Sequence, residues 1–150
     1  MRKFYLILAL IFIGCLSGCA NSVDIEYHTD PDLFDENFVA FSVFGKDGEE
    51  IIADLFIAYR ENMSAADLSE IAGRIKNIPF VFSGFGSMRY LRGINNLFEF
   101  DHGALSGWLY SVNGEFMGIS SGSYTVRPGD RIIWHYTLDL GDDLGAGLED

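Results

Sequence analysis

The residues able to do chemistry are few and scattered. Three histidines, His28, His102 and His135, are spread over 107 positions, and none stands four residues from another, as two metal ligands on one helix face would. Ser106 follows His102 by four residues, but both fall among turn residues and their pairing reads as coincidence. Gly84-Phe85-Gly86 lacks the lysine and the following helix that a phosphate loop needs. Carboxylates are plentiful, yet they crowd into segments without periodicity, where a hydrolytic pair would not be held rigidly. The acidic run from Leu138 to Asp150 lacks the twelve-residue ligand pattern of a calcium loop. The expectation is a binding protein rather than an enzyme, with no catalytic residue, no metal site and no required cofactor.

The chemistry that is concentrated is aromatic. Trp108 with Tyr110, and Trp134 with Tyr136, stand two apart on strand-like runs, so each pair shares a face. If the two faces meet, the result is a cross-strand aromatic cluster in the core; if they stand open, it is a platform for a flat ligand or a peptide. Turns fix these strands. Asn113-Gly114 is the signature of a type I′ hairpin, which needs positive φ at both central residues, and Arg127-Pro128-Gly129-Asp130 fits a type II turn. Three loops, 83–88, 101–107 and 117–123, are rich in small residues and could approach a large ligand closely.

Upstream, Phe38 to Phe44 reads as a strand with Val39, Phe41 and Val43 on one face. Gly45 to Gly48 turns the chain into a partner strand, Glu50 to Tyr59. Strict alternation there places Ile51, Ala53, Leu55, Ile57 and Tyr59 on one side, and Glu50, Ile52, Asp54, Phe56 and Ala58 on the other. A helix follows. Ser64 is its N-cap with Asp67 three residues on, Leu68, Ile71, Ala72 and Ile75 form one apolar stripe, and Pro79 ends it. Phe80 to Phe100 reads as one or two short strands around a mobile loop at 83–88. Hairpin, helix, further strands and a closing hairpin predict an α+β, β-grasp-like domain: one helix packed on a mixed or antiparallel sheet.

The first 18 residues read as an address. Arg2 and Lys3 precede a short apolar run, Tyr5 to Ile13, and Leu16-Ser17-Gly18-Cys19 resembles the bacterial lipobox, in which the cysteine is lipidated and becomes the mature N-terminus. Cys15 and Cys19 are the two cysteines, so cleavage and lipidation would leave the folded domain without a thiol. Residues 19–37 read as an acidic tether from Cys19, with His28 alone and exposed among acids. Residues 38–138 form the domain and 139–150 an acidic flexible tail. The mature chain would carry 8 basic against 22 acidic side chains, a formal charge of −14. That disfavours nucleic acid and anionic lipid heads, so attachment would come from the lipid alone. The expected location is the cell membrane or envelope, extracytoplasmic. The acidity suits a cationic partner, although solubility alone accounts for it.

Gly107-Trp108-Leu109-Tyr110-Ser111-Val112-Asn113-Gly114, then Tyr124-Thr125-Val126, then Pro128 to Thr137, with Tyr90 to Leu97 upstream, resembles the transcobalamin-like C-terminal domain family over roughly residues 38–138. The resemblance implies the fold, and it implies cobalamin or a related corrinoid as a ligand. In the animal carriers of that family this domain closes over one side of cobalamin while a larger α-helical barrel holds the other. That barrel is absent from this sequence, so a single domain would leave half the ligand in water and bind it with lower affinity unless a second protein supplied the missing face. By loop position, Phe85, Ser87, Ser120, Ser121 and Ser123 are the expected ligand contacts, with Trp108 as a platform. The alternative is a cell-surface module that docks on another envelope protein through sheet edges or exposed aromatics, without a small ligand.

Overall fold

The structure, a computed structural model, describes residues 25–147. The expected signal peptide, the expected lipidation at Cys19, the first part of the expected tether and the last three residues lie outside the described residues.

The strand β1 (Tyr27–His28) is followed by the hairpin β2 (Phe38–Phe44) and β3 (Glu50–Ala58), and then by the helix α1 (Ala65–Lys76). Next come β4 (Phe80–Ser83), β5 (Tyr90–Ile94), β6 (Leu97–Phe98), β7 (Gly107–Val112), β8 (Glu115–Phe116) and β9 (Arg131–Thr137). Six strands form one sheet in the order β1-β3-β2-β9-β7-β8, and β4-β5-β6 form a second, smaller one. The large sheet is mixed: β2 runs parallel to β9, and its other pairs are antiparallel. Helix and sheets make an α+β arrangement.

The core lies between α1 and one face of the large sheet. Val39, Phe41 and Val43 face it from β2, Ile132, Trp134 and Tyr136 from β9, and Trp108, Tyr110 and Val112 from β7. β3 departs from simple alternation. Phe41 lies opposite Leu55 but Val43 lies opposite Ile52, so Ala53 and Asp54 together face one residue of β2. This bulge turns Ile52 to the core side with Leu55 and Ile57, against the period-2 expectation, because an extra residue reverses the facing of everything beyond it. Phe56 is buried on the opposite face under Phe34 and His28, with ring centroids 5.1 and 4.9 Å away.

The caps and turns agree with the sequence. Ser64 Oγ accepts from the Asp67 N–H at 3.1 Å and the Asp67 carboxylate accepts from the Ser64 N–H at 2.8 Å, a complete capping box. The apolar stripe of α1 is buried through Leu68, Ile71 and Ala72. Its end is made by Asn77 in the left-handed region, φ 55°, two residues before Pro79. Asn113 (φ 53°) and Gly114 (φ 90°) form the β7–β8 hairpin turn. Asp130 ties that turn to the one at Pro128-Gly129. Its carboxylate accepts from Arg127 N–H, the Tyr124 hydroxyl and Asn113 Nδ2 at 2.8, 2.8 and 2.9 Å, which satisfies a buried acid.

Two segments expected to be loose are joined to the domain. Tyr27 and His28 pair with Ile57 and Phe56, and Phe34 covers Phe56, so these residues ahead of Phe38 pack on the domain. His28 is half-buried rather than exposed, with both ring nitrogens unpartnered against Phe56 and Phe38. At the other end the Leu140 N–H donates to Leu105 O at 2.9 Å, Leu138 N–H to Asp143 at 2.8 Å and Gly141 N–H to Thr137 Oγ1 at 2.7 Å. The acidic residues after Thr137 therefore fold back as a strap.

Candidate functional site

The aromatic faces of β7 and β9 meet. Trp108 stands opposite Tyr136 and Tyr110 opposite Trp134, each pair with ring centroids 5.1 Å apart. Because both strands turn these residues toward the core, they are packed first against each other and α1. Their polar tips reach outward to different elements. Trp108 Nε1 donates to Leu97 O at 3.0 Å, Trp134 Nε1 to Ser69 Oγ of α1 at 2.9 Å, and the Tyr110 hydroxyl to Ile119 O at 2.9 Å. Burial and the neighbouring Tyr124 push the Tyr110 phenol up to about 12. Tyr124 is also raised to about 12, by burial and by its hydrogen bond to the Asp130 carboxylate.

Beside this cluster two loops are stitched together. Ser120 Oγ and Ser121 Oγ both donate to Arg89 O, at 2.6 and 3.3 Å, and Ser123 Oγ donates to Ser87 O at 2.8 Å. Gly122 sits where a Cβ would lie 2.4 Å from Gly86 O, so only glycine allows the loops to approach this closely. The Arg89 guanidinium then reaches Asp67 at 2.5 Å, Ser64 Oγ at 3.0 Å and Glu70 at 3.4 Å, anchoring the pair of loops to the start of α1. Burial works to raise the Asp67 carboxyl, but hydrogen bonds from Ser64 and the Arg89 charge outweigh it and hold the group below its ordinary value. The 83–88 segment, expected to be mobile, is thus fastened on two sides.

Between β5, β7 and the stitched loop lies a cleft of about 340 Å³. Tyr90 and Leu91 form one wall, residues 117–121 the other, and Trp108, Leu109, Tyr110 and Trp134 the floor. Of the residues expected to contact a ligand, Trp108, Ser120 and Ser121 line it. Ser87 and Ser123 do not: they are exposed and bonded to each other. Phe85 stands apart on the surface, 77% exposed. Trp108 is not a free-standing platform. Only 4% of it is exposed, because its face packs on Tyr136 and its N–H on Leu97. Tyr90 and Tyr110 were not among the expected contacts, and Met117 and Ile119 join them from the 117–123 loop that was expected to approach a ligand. Tyr110 carried a signal, its shared strand face with Trp108, whereas Tyr90 and Ile119 reach the cleft only through tertiary packing. A wider groove of about 500 Å³ lies beside the end of α1, between Glu70, Arg74, Asn77 and Phe80. Phe80 is the one aromatic among its lining residues.

The histidines do not converge. His135 lies on the opposite face of β9 from Trp134, within 3.2 Å of Ser111 Oγ and against Phe116, and burial lowers its pKa. His102 meets Ser106 through its backbone N–H at 3.1 Å, while the Ser106 hydroxyl is fixed on Gly103 O at 2.9 Å. Among the described residues no three His, Cys, Asp or Glu side chains gather as a metal site, and no helix is long and apolar enough to cross a membrane.

Fold and cleft together define a small α+β domain that carries a concave, aromatic-lined cleft. Residues 65–137 match the family model described as a domain of unknown function, DUF4430. Among solved structures, the chain is similar to a protein from Ruminococcus gnavus for which metal binding has been conjectured. That likeness has a TM-score of 0.52 at 13% identity, over 67% of this chain and 96% of that one. It is also similar to haptocorrin in complex with Cbi, with a TM-score of 0.52 at 16% identity, over 69% of this chain. The chain spans about a quarter of haptocorrin, 26% of its length. At these identities the likeness is one of fold. No curated protein matches the chain.

Proposed function

We propose that this chain is a lipid-anchored, extracytoplasmic binding protein, held at Cys19, whose domain captures a corrinoid or a related small ligand in the aromatic-floored cleft. The cleft carries the reading: it is concave, predominantly apolar and bordered by a few polar groups, as ligand sites are. The likeness to haptocorrin supports the choice of ligand class, as does the sequence resemblance to the transcobalamin-like C-terminal domain family. The β-grasp-like reading of the fold rests on the hairpin β2–β3, the helix after it and the last strand β9 returning parallel to β2. Binding without catalysis is favoured because His102 and His135 attach to separate surroundings and neither meets a carboxylate in the hydrogen bonds above.

A cleft of about 340 Å³ accepts one edge of a corrin-sized molecule, so the remainder would stay outside unless a second protein covered it. Equilibrium dialysis of the full chain in non-ionic detergent against cobalamin tests the proposal. One-to-one retention at micromolar concentration, lost in Ile119→Lys, supports it; no retention at millimolar ligand removes it. A second reading, a docking module, is favoured by one observation: Phe85 and Met88 stand 77% and 66% exposed on the same loop. Pull-down from envelope extracts that is lost in Phe85→Ser/Met88→Ser, with the cleft intact, would select that reading.

A further inference from the structure

The side chains lining the cleft have their hydrogen-bond donors already engaged. Both indole N–H groups and the Tyr110 hydroxyl donate within the protein. The Tyr90 phenol lies beside the Glu99 carboxylate, and burial together with that carboxylate raises its pKa. The Ser120 and Ser121 hydroxyls donate to Arg89 O. What these side chains leave for a ligand is lone pairs on hydroxyl oxygens and the ring of Tyr90, 48% exposed, whose π face is negative; Trp108, Tyr110 and Trp134 are each no more than 4% exposed. No lysine or arginine lines the cleft. The two arginines flanking it are matched by carboxylates: Arg89 by Asp67 and Glu70, Arg92 by Glu99 at 2.5 Å. The flank therefore holds two guanidinium groups against three carboxylates, within a chain of formal charge −12.

All of these features favour one sign of charge. An anion in the cleft would find no free side-chain donor and a negative surrounding field, while a cation would find acceptors and the exposed Tyr90 ring. We propose that the cleft recognises an organic cation, an ammonium-type group on its ligand, and discriminates against anionic ligands of the same shape. This rests on the cleft being the ligand site and adds the sign of the charge it selects.

The test uses two probes of one shape, benzyltrimethylammonium and phenylmethanesulfonate, titrated into the full chain in non-ionic detergent. The signal is built in, since the sequence has two tryptophans and both, Trp108 and Trp134, line the cleft. The expected result is saturable fluorescence change with the cation at an affinity at least tenfold above the anion. Ile119→Lys, on the exposed rim, should weaken the cation at least tenfold while leaving the urea midpoint unchanged. Equal affinities, a preference for the anion, or an unaffected Ile119→Lys overturns the inference. Corrinoid retention without any charge preference overturns it and leaves the proposed function standing. Cation binding without corrinoid retention supports it and removes the corrinoid. No response to either probe and no corrinoid retention overturns both.

Discussion

Gly122→Ala isolates the contact that gives the cleft its outer wall. The new Cβ would lie 2.4 Å from Gly86 O, 3.0 Å from Arg89 N and 3.1 Å from the Ser87 carbonyl carbon. All three are backbone atoms, so relief requires the two loops to part rather than a side chain to swing aside. Parting them endangers three hydroxyl-to-carbonyl bonds, from Ser120, Ser121 and Ser123, worth about 1 kcal/mol each. The exposed Ser123 recovers water, so the loss is less than the sum. Overpacking alone costs about 1–3 kcal/mol. The expected destabilisation is about 2–3 kcal/mol, a fall of roughly 1–2 M in the urea midpoint for a domain of this size. Gly118→Ala in the same loop is the control. Nothing lies within 4 Å of its Cβ position, and the change should stay within about 0.5 kcal/mol. Urea unfolding followed by tryptophan fluorescence measures both. If Gly122→Ala unfolds at the same urea concentration as Gly118→Ala, the loops are not locked by backbone approach and the account of the wall is wrong.

Other outcomes follow from the same geometry. Ser69→Ala leaves the buried Trp134 N–H without its acceptor and should cost about 1–3 kcal/mol in urea unfolding, whereas Ser123→Ala, on the surface, should cost less than about 1 kcal/mol. The Asp67 carboxyl is lowered in the folded protein, so its stabilisation is complete above the ordinary carboxylate value of about 4 and is lost as the pH falls through its folded value. Asp67→Asn should flatten the acid limb of the stability profile and lower the plateau at neutral pH. Tyr110 and Tyr124 are raised to about 12, so the stability they contribute is complete below about pH 10 and falls as the pH rises toward 12. Phenolate absorbance should show Tyr110 and Tyr124 titrating late, with Tyr90 also raised, and one late group fewer in Tyr110→Phe.

The elements with strong local causes were legible in the sequence. The Ser64–Asp67 cap, the Asn113-Gly114 turn and the shared faces of Trp108 with Tyr110 and Trp134 with Tyr136 each depend on neighbours in sequence. The errors arose where distant residues decide. A bulge at Ala53–Asp54 has no local signature and moved Ile52 to the core face. Glycines and serines in 83–88 and 117–123 suggested mobility, yet the small residues allow two backbones to touch, so the same composition gives a rigid seam. Ser120 and Ser121 were placed at the site because the loop was, while Ser87 and Ser123 were turned away by bonding each other. The acidic ends read as loose because acids rarely pack; instead β1 joins the sheet edge and the Asp143 strap caps Thr137.

The parallel pairing of β2 with β9 has a consequence for how the molecule comes to exist. Ala40 pairs with Arg131, 91 positions later in the chain. Until the last strand arrives, the hairpin β2–β3 has one open edge and an apolar face with no companion. Closing so long a loop slows folding relative to a helical protein of equal size. A nascent or partly threaded chain therefore stays unfolded until residue 137 is present, with exposed strands that favour self-association. Losing β9 would remove the centre of the sheet rather than fray its border, so this domain is completed from its last strand inward.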